Sequence, residues 1–171
     1  RYSLCTINAD KYVKEKSSDK VAQAFYNDTY LFDQNACTSP HLLIWLGSNR
    51  NVKKAKRIFW DSLHKFIKPK YIVQPVIAVD KLTSFYNQSV YINKAKKIVS
   101  PDNLIWRIEL ETLPKNIDEF RCSSGYFSEY HAASLSEIRK IINRKYQTLS
   151  YYGFSKKKLN NLIKKIKPSG I

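Results

Sequence analysis

A chain of 171 residues, 43% hydrophobic and 13% aromatic at a mean hydropathy of -0.45, carries enough apolar side chain to bury one core and too much to stay disordered. Its 30 Lys plus Arg against 14 Asp plus Glu leave a net charge of +16, a field that draws phosphates, nucleic acid, anionic lipid heads or an acidic carrier without choosing among them. Three widely spaced cysteines, Cys5, Cys37 and Cys122, argue against a disulfide framework or structural zinc site and make a reducing cytoplasm the expected compartment, and apolar runs such as residues 42–46 are too short to cross a bilayer.

In chain order, residues 1–9 (RYSLCTINA) alternate Tyr2 and Leu4 with polar neighbours, as a strand does. Ser17, Ser18 or Asp19 can cap a helix whose Val21, Ala24, Phe25 and Phe32 recur at roughly helical spacing and which ends near residues 33–37. Pro40 disfavours a helical Ser39, and HLLIWLG after it is a continuous apolar run typical of a strand covered on both faces. Residues 48–67 are the clearest helix, with Val52, Ala55, Phe59, Leu63 and Phe66 on one side and lysines opposite.

Residues 71–79 (YIVQPVIAV) read as strand-like or extended, with Pro75 limiting how much can pair, and a helix is expected from Asp80. Residues 103–111 alternate as a strand, 112–124 read as loop, and 125–133 as a further strand. Ser134 and Glu137 have capping-box spacing ahead of the inward Ile138, Ile141 and Ile142. Residues 148–154 form the last strand, and Ser155 caps a closing helix with Leu159, Leu162, Ile163 and Ile166 as its buried stripe. Strand and helix alternate throughout, which predicts an α/β layered domain, a mainly parallel sheet with flanking helices. There is no internal repeat, and with 4 glycines no G-x-G-x-x-G phosphate loop.

The chemistry concentrates at one cysteine. Cys5 and Cys122 read as small buried hydrophobes. Cys37 instead sits among Asp33, Gln34, Asn35, Thr38 and Ser39 at a helix-to-strand junction. A core cysteine gains nothing from such neighbours, whereas a nucleophilic one does, because amides and backbone N–H groups can hold the oxyanion formed when a thiolate attacks a carbonyl. The preceding helix ends at this point, and its dipole disfavours a thiolate, so activation has to come from another group. His41 is a tempting base, but an extended 37–41 segment sets the two side chains roughly 13 Å apart, and contact needs a tight turn at Ser39–Pro40. His64 and His131 read as surface or structural. The clusters Lys53, Lys54, Lys56 and Arg57, and Lys156–Lys158 with Lys164 and Lys165, read first as solvated helix faces.

At QNACTSPHLLIWLG the chain resembles the acyl-CoA reductases of the LuxC type, the fatty-acid reductases of bacterial bioluminescence, which belong to the aldehyde dehydrogenase superfamily. Gln34 and Cys37 fall on positions of that superfamily's nucleophile motif, and Ser134, Glu137, Asn143, Gln147, Thr148 and Gly170 on its closing stretch. The resemblance implies an aldehyde dehydrogenase-like catalytic domain in which Cys37 accepts a fatty acyl group as a thioester, its own N–H serves as one oxyanion donor, and Gln34, Asn35 and Thr38 support the turn and the oxyanion. It implies reduction of an acyl-CoA, or of an acyl carrier or acyl-protein thioester, to the aldehyde with NADPH, in a cytoplasmic homo-oligomer without membrane insertion.

The superfamily's Glu-x-Phe-Gly-Pro segment, which seats the nicotinamide ribose, corresponds here to RCSSGYF, with Gly125 kept and Cys122 in the glutamate's place. The chain also starts at Arg1, without methionine. Residues 1–171 are therefore expected to be a single catalytic-domain fragment of a longer enzyme, with the upstream nucleotide-binding domain absent and the cofactor held mostly elsewhere. Two readings compete with the enzyme: a basic nucleic-acid-binding module, and a non-catalytic assembly lobe.

Overall fold

The computed structural model describes residues 1–15 and 18–166. Strands β1 (Tyr2–Asn8), β2 (Leu42–Leu46), β3 (Lys96–Val99), β4 (Trp106–Leu110), β5 (Tyr126–Ala132) and β6 (Tyr146–Tyr152) form one sheet in the order β3-β4-β5-β2-β1-β6. All neighbours pair in parallel except β3, which runs antiparallel to β4. Helices α1 (Ala9–Tyr12), α2 (Ser18–Thr29), α3 (Asn49–Ile67), α4 (Pro75–Tyr91) and α5 (Lys156–Ile166) make the connections, with short 3-10 segments among them. The chain is an α/β layered domain with a mainly parallel sheet.

The central strand β2 shows why the apolar run HLLIWLG behaves as it does. Leu43 and Trp45 point to the layer of α2 and α3, where Cys5, Ile7, Phe59 and Phe127 pack with them, while Leu42, Ile44 and Leu46 point to the opposite layer with Leu4, Ile108 and Tyr126. All five residues of β2 are buried, so each is removed from water by roughly 2 kcal/mol's worth of apolar transfer. Helix α3 starts at an N-cap, Ser48, whose hydroxyl accepts the Asn51 N–H, and buries Val52, Ala55, Phe59, Trp60, Leu63 and Ile67; Phe66 is half-buried.

Several expectations change. In α2 the buried stripe is Ala22, Phe25 and Thr29; Ala24 is exposed, Phe32 stands out in solvent after the helix has ended, and Ser17 lies outside the described residues. Residues 75–79 are helix and not strand. Pro75 occupies the first turn of α4, where its missing N–H removes a group that has no helical partner anyway, and residues 71–74 lead into it without pairing. Strand β3 comes from LysLysIleVal, too short and too basic to stand out, at the sheet edge. Residues 135–140 form a 3-10 segment, with Glu137 accepting the N–H groups of Ala133 and Ser134; Ile142 is half-buried there, and Ile163 of α5 is exposed. Gly170 lies outside the described residues.

Candidate active site

After α2 a 3-10 turn at Tyr30–Phe32 leads into two consecutive left-handed residues, Asp33 (φ 51°) and Gln34 (φ 61°), which reverse the chain. Such a pair is costly for residues with a Cβ and persists only where the surroundings hold it. Here the Asp33 carboxylate accepts the Tyr71 hydroxyl, and its carbonyl accepts the Ser124 N–H at 2.9 Å. Gln34 is buried, and its amide is saturated. Its Nε2 donates to the carbonyls of Pro40 (3.0 Å) and Tyr126 (2.9 Å), and its Oε1 accepts from the N–H groups of Gly125 (2.9 Å) and Tyr126 (3.0 Å). One side chain therefore ties the knot to the start of β5.

Beyond this clasp the chain turns once more, with Ser39 N–H donating to Ala36 O, and Cys37 stands exposed on the turn. The Cys37 carbonyl is pinned by the Ser3 hydroxyl at 2.7 Å, and the Ser39 hydroxyl donates to Asp28 O at 2.7 Å. Among the described residues the N–H groups of Ala36, Cys37 and Thr38 make no hydrogen bond. The thiol and these three N–H groups therefore lie without protein partners on a turn held from both sides. Asn35 and Thr38 are exposed next to them, whereas the Gln34 amide is fully occupied with holding the turn.

The loop 121–125 lies against Gln34 and Asn35. Gly125 has φ 91°, and a Cβ there would collide with the carbonyl of Leu104 and the hydroxyl of Tyr30, so no larger residue fits. Gln34, Asn35, His41, Arg121, Cys122 and Ser123 line a cavity of about 270 Å³, and Asn35 and Ser123 also border a second one of about 210 Å³ toward Tyr71 and Gln74. Both open at the N-terminal edge of the parallel strands. Ligands of open parallel sheets more often bind at the opposite edge, where the strands end. At that edge Asp10 is already engaged by Ser48 and by the Asn51 amide at 2.7 Å.

His41 faces the first cavity and not the thiol. Its ring stacks on Tyr2 at 5.6 Å, and burial pushes its pKa down to about 4, with Arg121 adding to the effect. Its Nδ1 has no partner among the described residues, and Cys37 does not line its cavity. Burial raises the Cys5 thiol to about 12, and Cys122 is half-buried. His64 pairs with Asp102 at 2.7 Å, and His131 bonds the Gly47 carbonyl. The lysines of α5 are exposed; in α3, Lys56 turns inward to Glu109 (2.8 Å).

Two features escaped the sequence reading. One is the role of Arg121 and Ser123 as cavity walls. The other is a buried cluster around Glu129, which accepts the indole N–H groups of Trp45 (2.7 Å) and Trp60 (3.1 Å) and the Arg107 Nε at 2.5 Å. A buried glutamate in the strand Tyr126–Ala132 was the only local signal. Among the described residues no group of three or more His, Cys, Asp or Glu is arranged to hold a metal, and no helix is long and apolar enough to cross a membrane.

No family model matches the chain, and no curated protein does. Solved structures do. The chain is similar to a NAD-dependent benzaldehyde dehydrogenase from Corynebacterium glutamicum (TM-score 0.59, 11% identity, covering 97% of this chain and 37% of that one). It is similar to aldehyde dehydrogenase 21 from Physcomitrella patens in complex with the reaction product succinate (0.60, 15%, 95% and 36%). A third is 1-pyrroline-5-carboxylate dehydrogenase from Thermus with bound NAD (0.54, 12%, 97% and 34%). At these identities the likeness is one of fold, that of aldehyde dehydrogenases, and the chain spans about a third of the length of each.

Proposed function

We propose that this chain is the thiol-bearing catalytic part of an aldehyde dehydrogenase-like oxidoreductase, and that it works on long-chain acyl thioesters, reducing acyl-CoA or an acyl-protein to a fatty aldehyde with NADPH. The observation that supports this best is Cys37, an exposed thiol on a clamped turn whose three successive N–H groups are unbonded. In the acyl-transfer step the Cys37 sulfur, as thiolate, attacks the thioester carbonyl. The negative charge moving onto the carbonyl oxygen meets the N–H groups of residues 36–38. The intermediate then collapses, the C–S bond to the donor breaks, and the donor leaves as a thiol carrying the proton Cys37 gave up. Cys37 is left as an acyl thioester, and the net charge of +16 attracts the phosphates of coenzyme A or an acidic carrier.

The two cavities beside Asn35 and Ser123 do not fit a whole nicotinamide dinucleotide. These cavities, neither of which Cys37 lines, hold about 270 and 210 Å³, below the roughly 300–1,000 Å³ of small-molecule sites. Where the resemblance calls for a ribose-binding glutamate there is Cys122, half-buried and with no carboxylate to offer. The hydride step therefore belongs, in this reading, to residues outside the chain.

Incubation with palmitoyl-CoA followed by peptide mass mapping tests the proposal: Cys37 acquires the acyl group, and Cys37→Ser abolishes it. Acylation at Cys5 or Cys122, or none at all, overturns it. NADPH oxidation by the purified 171-residue chain would move the cofactor site back into it.

A further inference from the structure

His41 is only 7% exposed and stacks on Tyr2, yet its Nδ1 is buried without a hydrogen-bond partner among the described residues. A buried polar atom left unpaired costs stability, and in a folded chain it calls for a counterpart. There is room for one. The ring lines the cavity of about 270 Å³ that it shares with Gln34, Asn35, Arg121, Cys122 and Ser123.

That cavity carries one sign of charge. Arg121 is the only charged residue lining it, and it spends one hydrogen bond, from Nη1 to the Arg1 carbonyl at 2.7 Å, which leaves its other N–H groups to donate. No carboxylate lines it. Asp33 borders the neighbouring cavity and accepts the Tyr71 hydroxyl, and the buried Asp118 is paired with Lys145 at 3.0 Å. The side chains of Asn35 and Ser123 make no hydrogen bond among the described residues, and they add an amide and a hydroxyl, whereas the Gln34 amide is spent on the turn.

We propose that this cavity is a phosphate subsite, in which Arg121, His41, Asn35 and Ser123 hold a phosphate group of the thioester donor whose acyl chain passes to Cys37. The four side chains come from the turn after α2, from the start of β2 and from the loop 121–125, so they approach from different sides. A tetrahedral phosphate offers each of them an oxygen, while a carboxylate has two to share, and a guanidinium bonds phosphate with charge assistance. Either tautomer of His41 serves: an Nδ1–H donates to a phosphate oxygen, and a bare Nδ1 accepts from the O–H of a monoprotonated phosphate. Asn35 is two residues from Cys37, no more than about 7 Å along the backbone, a span that a flexible donor arm covers. That the phosphate is the donor's rests on the acyl transfer proposed above; the anion site rests on the cavity alone.

Inorganic phosphate is the first probe. Titrated into the 171-residue chain at about pH 7 and constant ionic strength, it should shift the NMR signals of the His41 ring and leave the other two of the 3 histidines in place, His64 paired with Asp102 and His131 bonded to Gly47. Arg121→Gln should weaken this binding about tenfold or more, and Arg139→Gln, which removes the same charge from an exposed residue elsewhere, should not. The second probe is the donor itself. Palmitoyl-CoA should acylate Cys37 faster than palmitoyl-N-acetylcysteamine, a thioester without phosphate, and either added phosphate or Arg121→Gln should cut that preference about tenfold.

No shift at His41, or equal shifts at all three histidines, overturns the site. A His41 shift with equal rates for the two thioesters overturns its assignment to the donor and makes it a site for free phosphate. Binding at His41 without acylation of Cys37 by either thioester sinks the proposed acyl transfer and the donor with it, while supporting the anion site.

Discussion

Two polar constellations sit on the same sheet and differ in what they leave unsatisfied. Around Glu129 everything is engaged: the carboxylate is fully buried and receives two indoles and a guanidinium, with the Lys56 ammonium at 3.7 Å. Around Cys37 the polar groups divide into two sets. Gln34 is saturated and Asp33, Ser3 and Ser39 are each engaged, and they hold in place a thiol and three N–H groups that have no protein partner among the described residues. A closed network of buried partners makes scaffold. An open one, stretched across a frame that is itself closed, makes a place where a substrate can supply the missing partner. Polar crowding alone separates neither case, and the count of unmet bonds separates both.

The sharpest way to break the comparison is to open the closed cluster. Glu129→Ala strands two indole N–H groups and leaves Arg107 and Lys56, with side chains 15% and 14% exposed, without their buried counter-charge. Removing one member of a buried ion pair costs about 3–5 kcal/mol, and urea denaturation should show a midpoint shift of that size. A loss below about 1 kcal/mol would mean that water reaches the cluster and that it is not closed.

Next in size is the clasp. Gln34→Ala removes four hydrogen bonds at a buried position and orphans backbone groups of Pro40, Gly125 and Tyr126, at an expected cost of about 2–4 kcal/mol. The clasp also predicts a coupled effect that Glu129 does not: with the left-handed turn released, acylation of Cys37 should fall more than stability alone explains, measured under conditions where the variant remains folded. Unchanged labelling would show that the turn keeps its shape without Gln34.

How far these features could be seen in the sequence follows from the distance over which each is assembled. Strands β1, β2, β4, β5 and β6 and helix α3 announce themselves because each buries its own pattern locally. Helix α4 hides its first turn behind Pro75 and its orientation behind apolar residues on both sides: Leu82 and Phe85 pack inward beside the buried Lys81 and Gln88, while Val76, Val79, Tyr86 and Val90 are exposed. Cys37 is legible because its polar neighbours are adjacent in the chain. Three of the four hydrogen bonds of Gln34 reach groups 91 and 92 residues away, and Glu129 meets Trp45 and Trp60 across 84 and 69 residues. Only the parallel crossovers bring them together, and no local spacing encodes that.

Acid probes the border between the two regions at His41. In the folded chain its pKa is pushed down to about 4 from an ordinary 6.5, so the unfolded chain binds this proton more readily. Its contribution is fully present above about pH 6.5 and is lost as pH falls toward 4, at most about 2–3 kcal/mol. His41→Phe keeps the stacking on Tyr2 and cannot take up the proton. The difference in unfolding free energy between wild type and His41→Phe, followed from pH 7 to 4, should move by that amount against the wild type. Parallel curves would mean that the ring is already hydrated.

The smallest expected effect on stability carries the most about chemistry. Cys37→Ser alters one exposed atom on a turn whose hydrogen bonds run through its carbonyl and its neighbours, so unfolding should shift by no more than about 0.5 kcal/mol. Thiol reactivity in the wild type should meanwhile follow access. Iodoacetamide reaches Cys37 first and the half-buried Cys122 more slowly, and it reaches Cys5, held near 12 by burial, only on unfolding. Quenched labelling with peptide mapping gives the three rates on one sample. If Cys122 reacts before Cys37, the cavity it shares with His41 and Arg121 is more open than the turn, and the role of nucleophile proposed for Cys37 would pass to Cys122.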